Sequence, residues 1–293
     1  MRLGDYARLL LLAAIWGAAY GFIRVTAPAL GALWTAEGRV VIGAAVLLAW
    51  FRWRGIEMSW RHARFYALIG AIGTAIPFTL LSFGGMYVPA SVMAVLGATA
   101  PMMVLLLSAA FGLERLTARR VLGMLLGFVG VWLLSDPGAA GIDEGSNASG
   151  WRFHLAVAAC LATAFAYAAT ALVVRHFGAG VPSPGLALGT QVFGALYLTP
   201  VLPFASVPGA LTPIVWANLA GLGILASGFA YVLYFRLIKD VGATRTQTVA
   251  FVVPLFGMLW GMAFLGESMS AGALLGALSI LGGVVLVTFG GRR

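Results

Sequence analysis

Ten apolar runs, each of roughly membrane-spanning length, fill this chain: 9–27, 30–51, 64–85, 90–111, 119–135, 152–174, 184–204, 213–235, 243–265 and 271–289. A helix rises 1.5 Å per residue, so about 20 residues cross the roughly 30 Å hydrocarbon core of a bilayer. Only 9% of the residues are charged and 61% are hydrophobic, whereas a soluble domain carries roughly 25% charged residues. A water-soluble fold would have almost nothing to cover its surface with. Inside lipid every backbone polar group needs a partner, so the expected fold class is an all-α polytopic membrane protein. The first run continues through Trp16 and Tyr20 to Val25 without a small-x-small cleavage site. It reads as a retained spanning helix, not a signal peptide.

Lys and Arg between the runs set the direction of crossing. With the N-terminus inside, fifteen of them fall in inside segments: Arg2, Arg8, Arg52, Arg54, Arg61, Arg64, Arg115, Arg119, Arg120, Arg175, Arg236, Lys239, Arg245, Arg292 and Arg293. Arg24 and Arg152 fall outside, and Arg39 lies within a run. The bias predicts N-in and C-in, with the lipid bilayer as surroundings and an acidic central loop (Asp136, Asp143, Glu144) on the outside. The net charge of +9 is thereby a topology signal, and no nucleic-acid partner is expected. Asn147–Ala148–Ser149 in that loop fits a glycosylation pattern that short sequences often match by chance.

The chain also repeats itself. "FGLERLTARRVLG" at 111–123 returns as "FLGESMSAGALLG" at 264–276, an offset of 153 without insertion. Val88 and Val241, Pro101 and Pro254, Glu114 and Glu267, and Gly130 and Gly283 share that offset. Arg39 matches Gln191, Trp16 matches Tyr167 and Arg24 matches Arg175 at nearly the same one. The expected organisation is a five-helix repeat over 1–135, an outside linker at 136–151 and a second five-helix repeat over 152–293. Five is odd, so the second copy starts on the opposite side and is inverted. The loss of Arg115, Arg119 and Arg120 to Ser268, Gly272 and Ala273 fits: the same connection faces the cytoplasm once and the outside once. Inverted repeats typify secondary transporters, with substrate held near the midplane between the halves, although some channels share them.

In each half a proline in the fourth helix is followed by a Glu at the connection and a glycine-rich fifth helix: Pro101, Glu114 and "GMLLGFVGVWLL"; Pro254, Gly266–Glu267 and "GALSILGGVVLV". With an early Trp16–Gly17 and Arg39 in the second helix, nearly the whole chain resembles the drug/metabolite transporter superfamily, the EamA-type ten-helix exporters. Within it the chain is most similar to the YddG-type amino acid exporters. Leu113, where Gly is usual before the Glu, departs from the pattern at one turn. The resemblance implies a bacterial inner-membrane exporter of amino acids, aromatic and other neutral ones, and related metabolites.

Several residues present themselves for the work. Thr74, Phe78 and Ser82 recur every four residues in the third helix, matched by Ser227, Tyr231 and Phe235 in the eighth. Such a stripe suits an amino acid, since rings pack the side chain and hydroxyls bind the charged ends. It equally suits helix packing. Trp16, Tyr20 and Tyr167 extend the stripe or anchor at the interface. Arg39, whose matching position in the copy is the neutral Gln191, binds a substrate carboxylate or locks its helix to neighbours, because a charge at the midplane must face protein or water. Glu37 is the acid well inside a run and the candidate for proton coupling. Pro101 and Pro254 kink their helices, shaping a cavity or merely fitting the bundle. Glu114 and Glu267 read as helix-entry residues that complement the N-terminal dipole. GxxxG pairs such as Gly123–Gly127 and Gly272–Gly276 read as helix contacts.

Enzyme chemistry, cofactors and metals are not expected. His62, His154 and His176 lie at run ends away from acids, Cys160 is the one cysteine, Lys239 lies in a loop, and no nucleotide-binding loop exists. The expected function is export of amino acids by alternating access around a central cavity. The alternatives are other solutes (drugs, quaternary amines, nucleotide-sugars) or a receptor or scaffold without transport.

Overall fold

The computed structural model describes residues 3–141 and 150–289. Asp143, Glu144 and the Asn147–Ser149 pattern lie outside the described residues, as do Arg2, Arg292 and Arg293. Every described element is helical. Ten segments make the bundle: α1 Leu3–Leu30, α2 Ala32–Arg54, α3 Trp60–Tyr87, α4 Ala90–Ala110, α5 Ala118–Leu134, α6 Trp151–Phe177, α7 Ser183–Phe204, α8 Pro213–Val241, α9 Val249–Leu265 and α10 Ala271–Phe289. Large apolar side chains stand exposed on the outer faces, among them Leu122, Leu125, Phe128 and Trp132 of α5 and Leu275 and Leu278 of α10. That surface is the one a multi-pass membrane protein presents to lipid.

Helix contacts come in matched pairs. α1 packs on α9 as α6 packs on α4, α1 on α8 as α6 on α3, and α2 on α8 as α7 on α3, while α5 and α10 pack most extensively, on each other. Glycine makes the α5–α10 approach feasible. A Cβ at Gly130 would stand 2.5 Å from the carbonyl oxygen of Gly276, and one at Gly283 2.5 Å from that of Gly123. In lipid, small residues of this kind let backbones meet and bring dispersion contacts with them.

Three local features depart from plain α-helix. α3 and α8 contain π-helical stretches, at Ala71–Ala75 and Leu222–Phe229, which the offset of the repeat brings into register. α4 stops at Gly97 and restarts at Ala100, with Pro101 in the first turn of the new piece. Proline cannot donate to the ladder and clashes with the preceding turn. The Thr99 hydroxyl satisfies one exposed carbonyl by donating to that of Leu96 at 2.6 Å. The repeat predicts the same interruption at Pro254, yet α9 runs unbroken through it. α9 itself begins at Val249, later than the sequence-based 243, because Ala243–Thr246 forms a separate short turn.

The two ends of the bundle differ. At the end carrying the start of α1, Arg8 pairs with Asp240 at 2.6 Å and with Asp5 at 3.3 Å, and Glu114 with Arg120 at 3.0 Å. At the other end Arg24 and Glu267 hold backbone groups. Glu267 therefore corrects the helix-entry expectation: it caps α4, far away in sequence, instead of its own α10. Glu114 likewise is engaged in ion pairs, while Thr117 caps α5 by accepting from the Arg120 amide at 3.4 Å.

Candidate functional site

A cavity of about 330 Å³ lies in the middle of the bundle, with α1, α2, α3, α4, α6, α8 and α9 as its walls. Gly17 is one reason α1 can line it. A Cβ there would stand 2.6 Å from Cβ of Phe256 and 2.8 Å from the Gly257 nitrogen. α1 therefore lies directly on α9, and Trp16 turns its ring to the cavity. The Trp16 indole N–H donates to the carbonyl of Ala226 at 3.2 Å, inside the π-helical stretch of α8. Its ring meets Tyr231 edge-on at 6.4 Å and Tyr234 at 5.5 Å.

Arg39 is the single charged side chain among the described residues of the cavity wall. It is 7% exposed. Its Nε donates to the Ser227 hydroxyl at 2.7 Å, and its guanidinium lies 3.7 Å above the centre of the Phe78 ring. Ser227 lies within the π-turn of α8, and Phe78 lies three residues past the end of the π-turn in α3. A buried cation costs several kcal/mol unless it is paired. Here its fixed partners are a hydroxyl and a ring, both neutral, in a wall that also holds Tyr20, Tyr167 and Tyr231.

Of the residues singled out in sequence, Trp16, Tyr20, Arg39, Phe78, Tyr167, Tyr231 and Pro254 line the cavity. Ser227 stands behind Arg39 as its support. Gln191 is fully buried outside the cavity, its amide 3.5 Å from the Ser227 carbonyl and its Oε1 without a hydrogen-bond partner. Thr74 packs towards α7, where a Cβ on Gly194 would meet it at 2.8 Å, and Ser82 is buried away from the cavity. The spacing of four thus does not keep one stripe on one face. Phe235 leaves the cavity for a separate cleft with Trp50 and Trp53, while stacking on Tyr231 at 6.1 Å. Pro101 is not a wall residue, although Ala98 and Ala100 beside it are. Glu37 also lies off the cavity wall. The Thr199 hydroxyl donates to its Oε1 at 2.6 Å, and its buried Oε2 has no hydrogen-bond partner.

Sequence reasoning missed the contributions of α4, of α9 and of the turn before α9: Ala94, Gly97 and Ala100, and their counterparts Gln247, Ala250 and Val253. Five of the six are apolar and carry no chemical signal, and Gln247 stands alone among them as a polar residue. The offset of 153 around Pro101 and Pro254 would have found them, because these six positions are three matched pairs.

A multi-pass helical bundle around a central charged and aromatic cavity is the architecture of a membrane transporter. The model of the EamA-like transporter family matches residues 6–136 and again residues 154–289. The chain belongs to that family. An "Uncharacterized transporter" of Archaeoglobus fulgidus is 27% identical over 285 residues, covering 95% of this chain and 96% of its own. A "Probable terminal-alkyne amino-acid exporter" of Streptantibioticus cattleyicolor is 27% identical over 294 residues, covering 97% and 94%. "Protein PecM" of Dickeya dadantii is 26% identical, covering 98% and 92%. A solved crystal structure superposes over 100% of this chain and 99% of its own at a TM-score of 0.64 and 20% identity, a likeness that shows the fold alone.

Proposed function

We propose that this chain exports neutral amino acids, aromatic ones foremost, and related metabolites across a bacterial inner membrane. Its two five-helix halves are inverted copies that rock around the cavity in alternating access, with both termini in the cytoplasm. The observation that carries the substrate class is Arg39: one buried cation, backed by neutral partners and surrounded by Trp16, Tyr20, Phe78, Tyr167 and Tyr231. A carboxylate completes such a site, and π-faces receive both an ammonium group and an apolar side chain. A zwitterion does this without adding a net charge to the one Arg39 already carries.

The cation argues against the alternatives. Quaternary amines and cationic drugs meet a fixed positive charge with no carboxylate in the described wall. Nucleotide-sugars bring two phosphates and a bulk that suits larger pockets, while about 330 Å³ is near the small end of the usual ~300–1,000 Å³ range. The Streptantibioticus relative, described as an amino-acid exporter, supports the same class. Proton coupling is assigned to Glu37. One of its oxygens is held by Thr199 and the other is buried with no hydrogen-bond partner, so a bound proton would remove an uncompensated buried charge.

Growth tests the export reading. Cells expressing the chain should survive a toxic analogue of an aromatic amino acid at concentrations that stop cells with an empty vector. Equal sensitivity, together with protection against a quaternary-amine toxin, would overturn the substrate class.

A further inference from the structure

Repeat counterparts stand at the two ends of the bundle, and one pair of them grips a helix junction while the other does not. At one end the connection between α9 and α10 sends Glu267 to the start of α4. Its carboxylate accepts from the backbone N–H of Ala90 at 2.6 Å and of Ser91 at 2.9 Å. From α1, Arg24 donates to the carbonyls of Gly85 at 3.0 Å and Met86 at 3.1 Å, in the last turn of α3. An acid on a helix start and a base on a helix end each complement the dipole. Together they grip the α3–α4 junction from both sides. Ala94, one turn further along α4, is 1% exposed and belongs to the cavity wall.

The counterparts are Glu114 and Arg175, at the end where the cavity wall runs on to Gln247, Val249 and Ala250. Glu114 lies 3.0 Å from Arg120 and 4.0 Å from Arg175, whose side chain is 69% exposed. Among the described residues neither counterpart grips the α8–α9 junction, which the offset of the repeat makes the equivalent of α3–α4.

We propose that Glu267 with Arg24, and Glu114 with Arg175, are two clasps that engage alternately. In this structure the first clasp closes its end of the cavity and the second is released. In the opposite state Glu114 takes the N–H groups at positions 243 and 244, and Arg175 takes the last carbonyls of α8. Each clasp trades the same kind of contact for its partner's, so the two states stay close in energy, as a transport cycle requires. The inference rests on the inverted-repeat reading, but not on which solute is carried.

The test reads labelling by a membrane-impermeant maleimide in the absence of substrate. Cys160 is buried, so reporters are introduced as Ala94→Cys and, separately, its counterpart Gln247→Cys. Glu267→Ala should raise labelling of the Ala94→Cys chain from the clasped side by roughly tenfold, the population change that about 1.4 kcal/mol produces. Glu114→Ala should lower it, and should raise labelling of Gln247→Cys from the opposite side. A purely structural role would loosen both ends together. Glu267→Gln keeps one acceptor and should act in the same direction more weakly, which preserves the test if the alanine variant fails to accumulate. Two variants that shift labelling the same way, or not at all, overturn the proposal. Opposite shifts in a protein that moves no amino acid would leave the clasps standing and retire the substrate reading.

Discussion

Replacing Arg39 by Met isolates the group on which the substrate assignment depends. Met keeps an unbranched apolar stem that reaches to about the position of Nε and suits an apolar wall, so it removes the guanidinium head without placing a new polar group in the cavity. Ser227 holds Nε at 2.7 Å and Phe78 holds the guanidinium face at 3.7 Å, which leaves the terminal N–H groups for a ligand carboxylate. Hydrogen bonds to charged groups contribute about 1.5–3 kcal/mol, and each 1.4 kcal/mol is tenfold in affinity. Arg39→Met should therefore weaken binding of an aromatic amino acid by roughly tenfold to hundredfold. Equilibrium binding to the purified protein measures this, with the decarboxylated amine of the same amino acid as control. The unmodified chain should prefer the amino acid over the amine by a similar factor, and Arg39→Met should erase that preference. Arg39→Lys should restore part of it, since a point charge lacks the planar fork. A variant that folds and still prefers the acid to the amine as strongly as before would refute the argument.

Three further outcomes follow from the same geometry. Ser227→Ala should lower amino-acid affinity about tenfold by releasing Arg39, whereas Ser82→Ala, buried away from the cavity, should leave it unchanged in the same binding assay. Glu37→Gln should remove the response of flux to an imposed pH gradient in proteoliposomes while exchange without a gradient continues. Gly130→Leu should destabilise the protein by about 1–3 kcal/mol through overpacking against Gly276, seen as a lower midpoint in thermal unfolding in detergent.

The sequence carried the large features because they are written many times over. Ten hydrophobic runs, the matched Pro101 and Pro254, and the paired Glu114 and Glu267 are redundant signals. Aromatic and charged cavity residues were legible for a related reason, since Trp16, Arg39 and Tyr231 are costly choices in lipid unless something faces them. The losses are contextual. No residue pattern announces the π-turns at Ala71–Ala75 and Leu222–Phe229, and they alter how Thr74 and Ser227 face their neighbours, so a stripe counted at spacing four scatters. Pro101 interrupts α4 while Pro254 leaves α9 whole, a difference of packing that two equal prolines cannot reveal. Glu267 shows the limit most plainly. Its acidity at a helix entry was readable, but the helix it caps begins at Ala90, and only the folded bundle brings them together.

Solute counterflow tests the central claim most directly. Proteoliposomes containing the purified chain are loaded with an unlabelled aromatic amino acid and diluted into a trace of the labelled one. The account predicts transient accumulation of label above equilibrium, lost with Arg39→Met and absent when the vesicles are loaded with a quaternary amine or a nucleotide-sugar. Accumulation driven by either of those loads, with none driven by an amino acid, would contradict it.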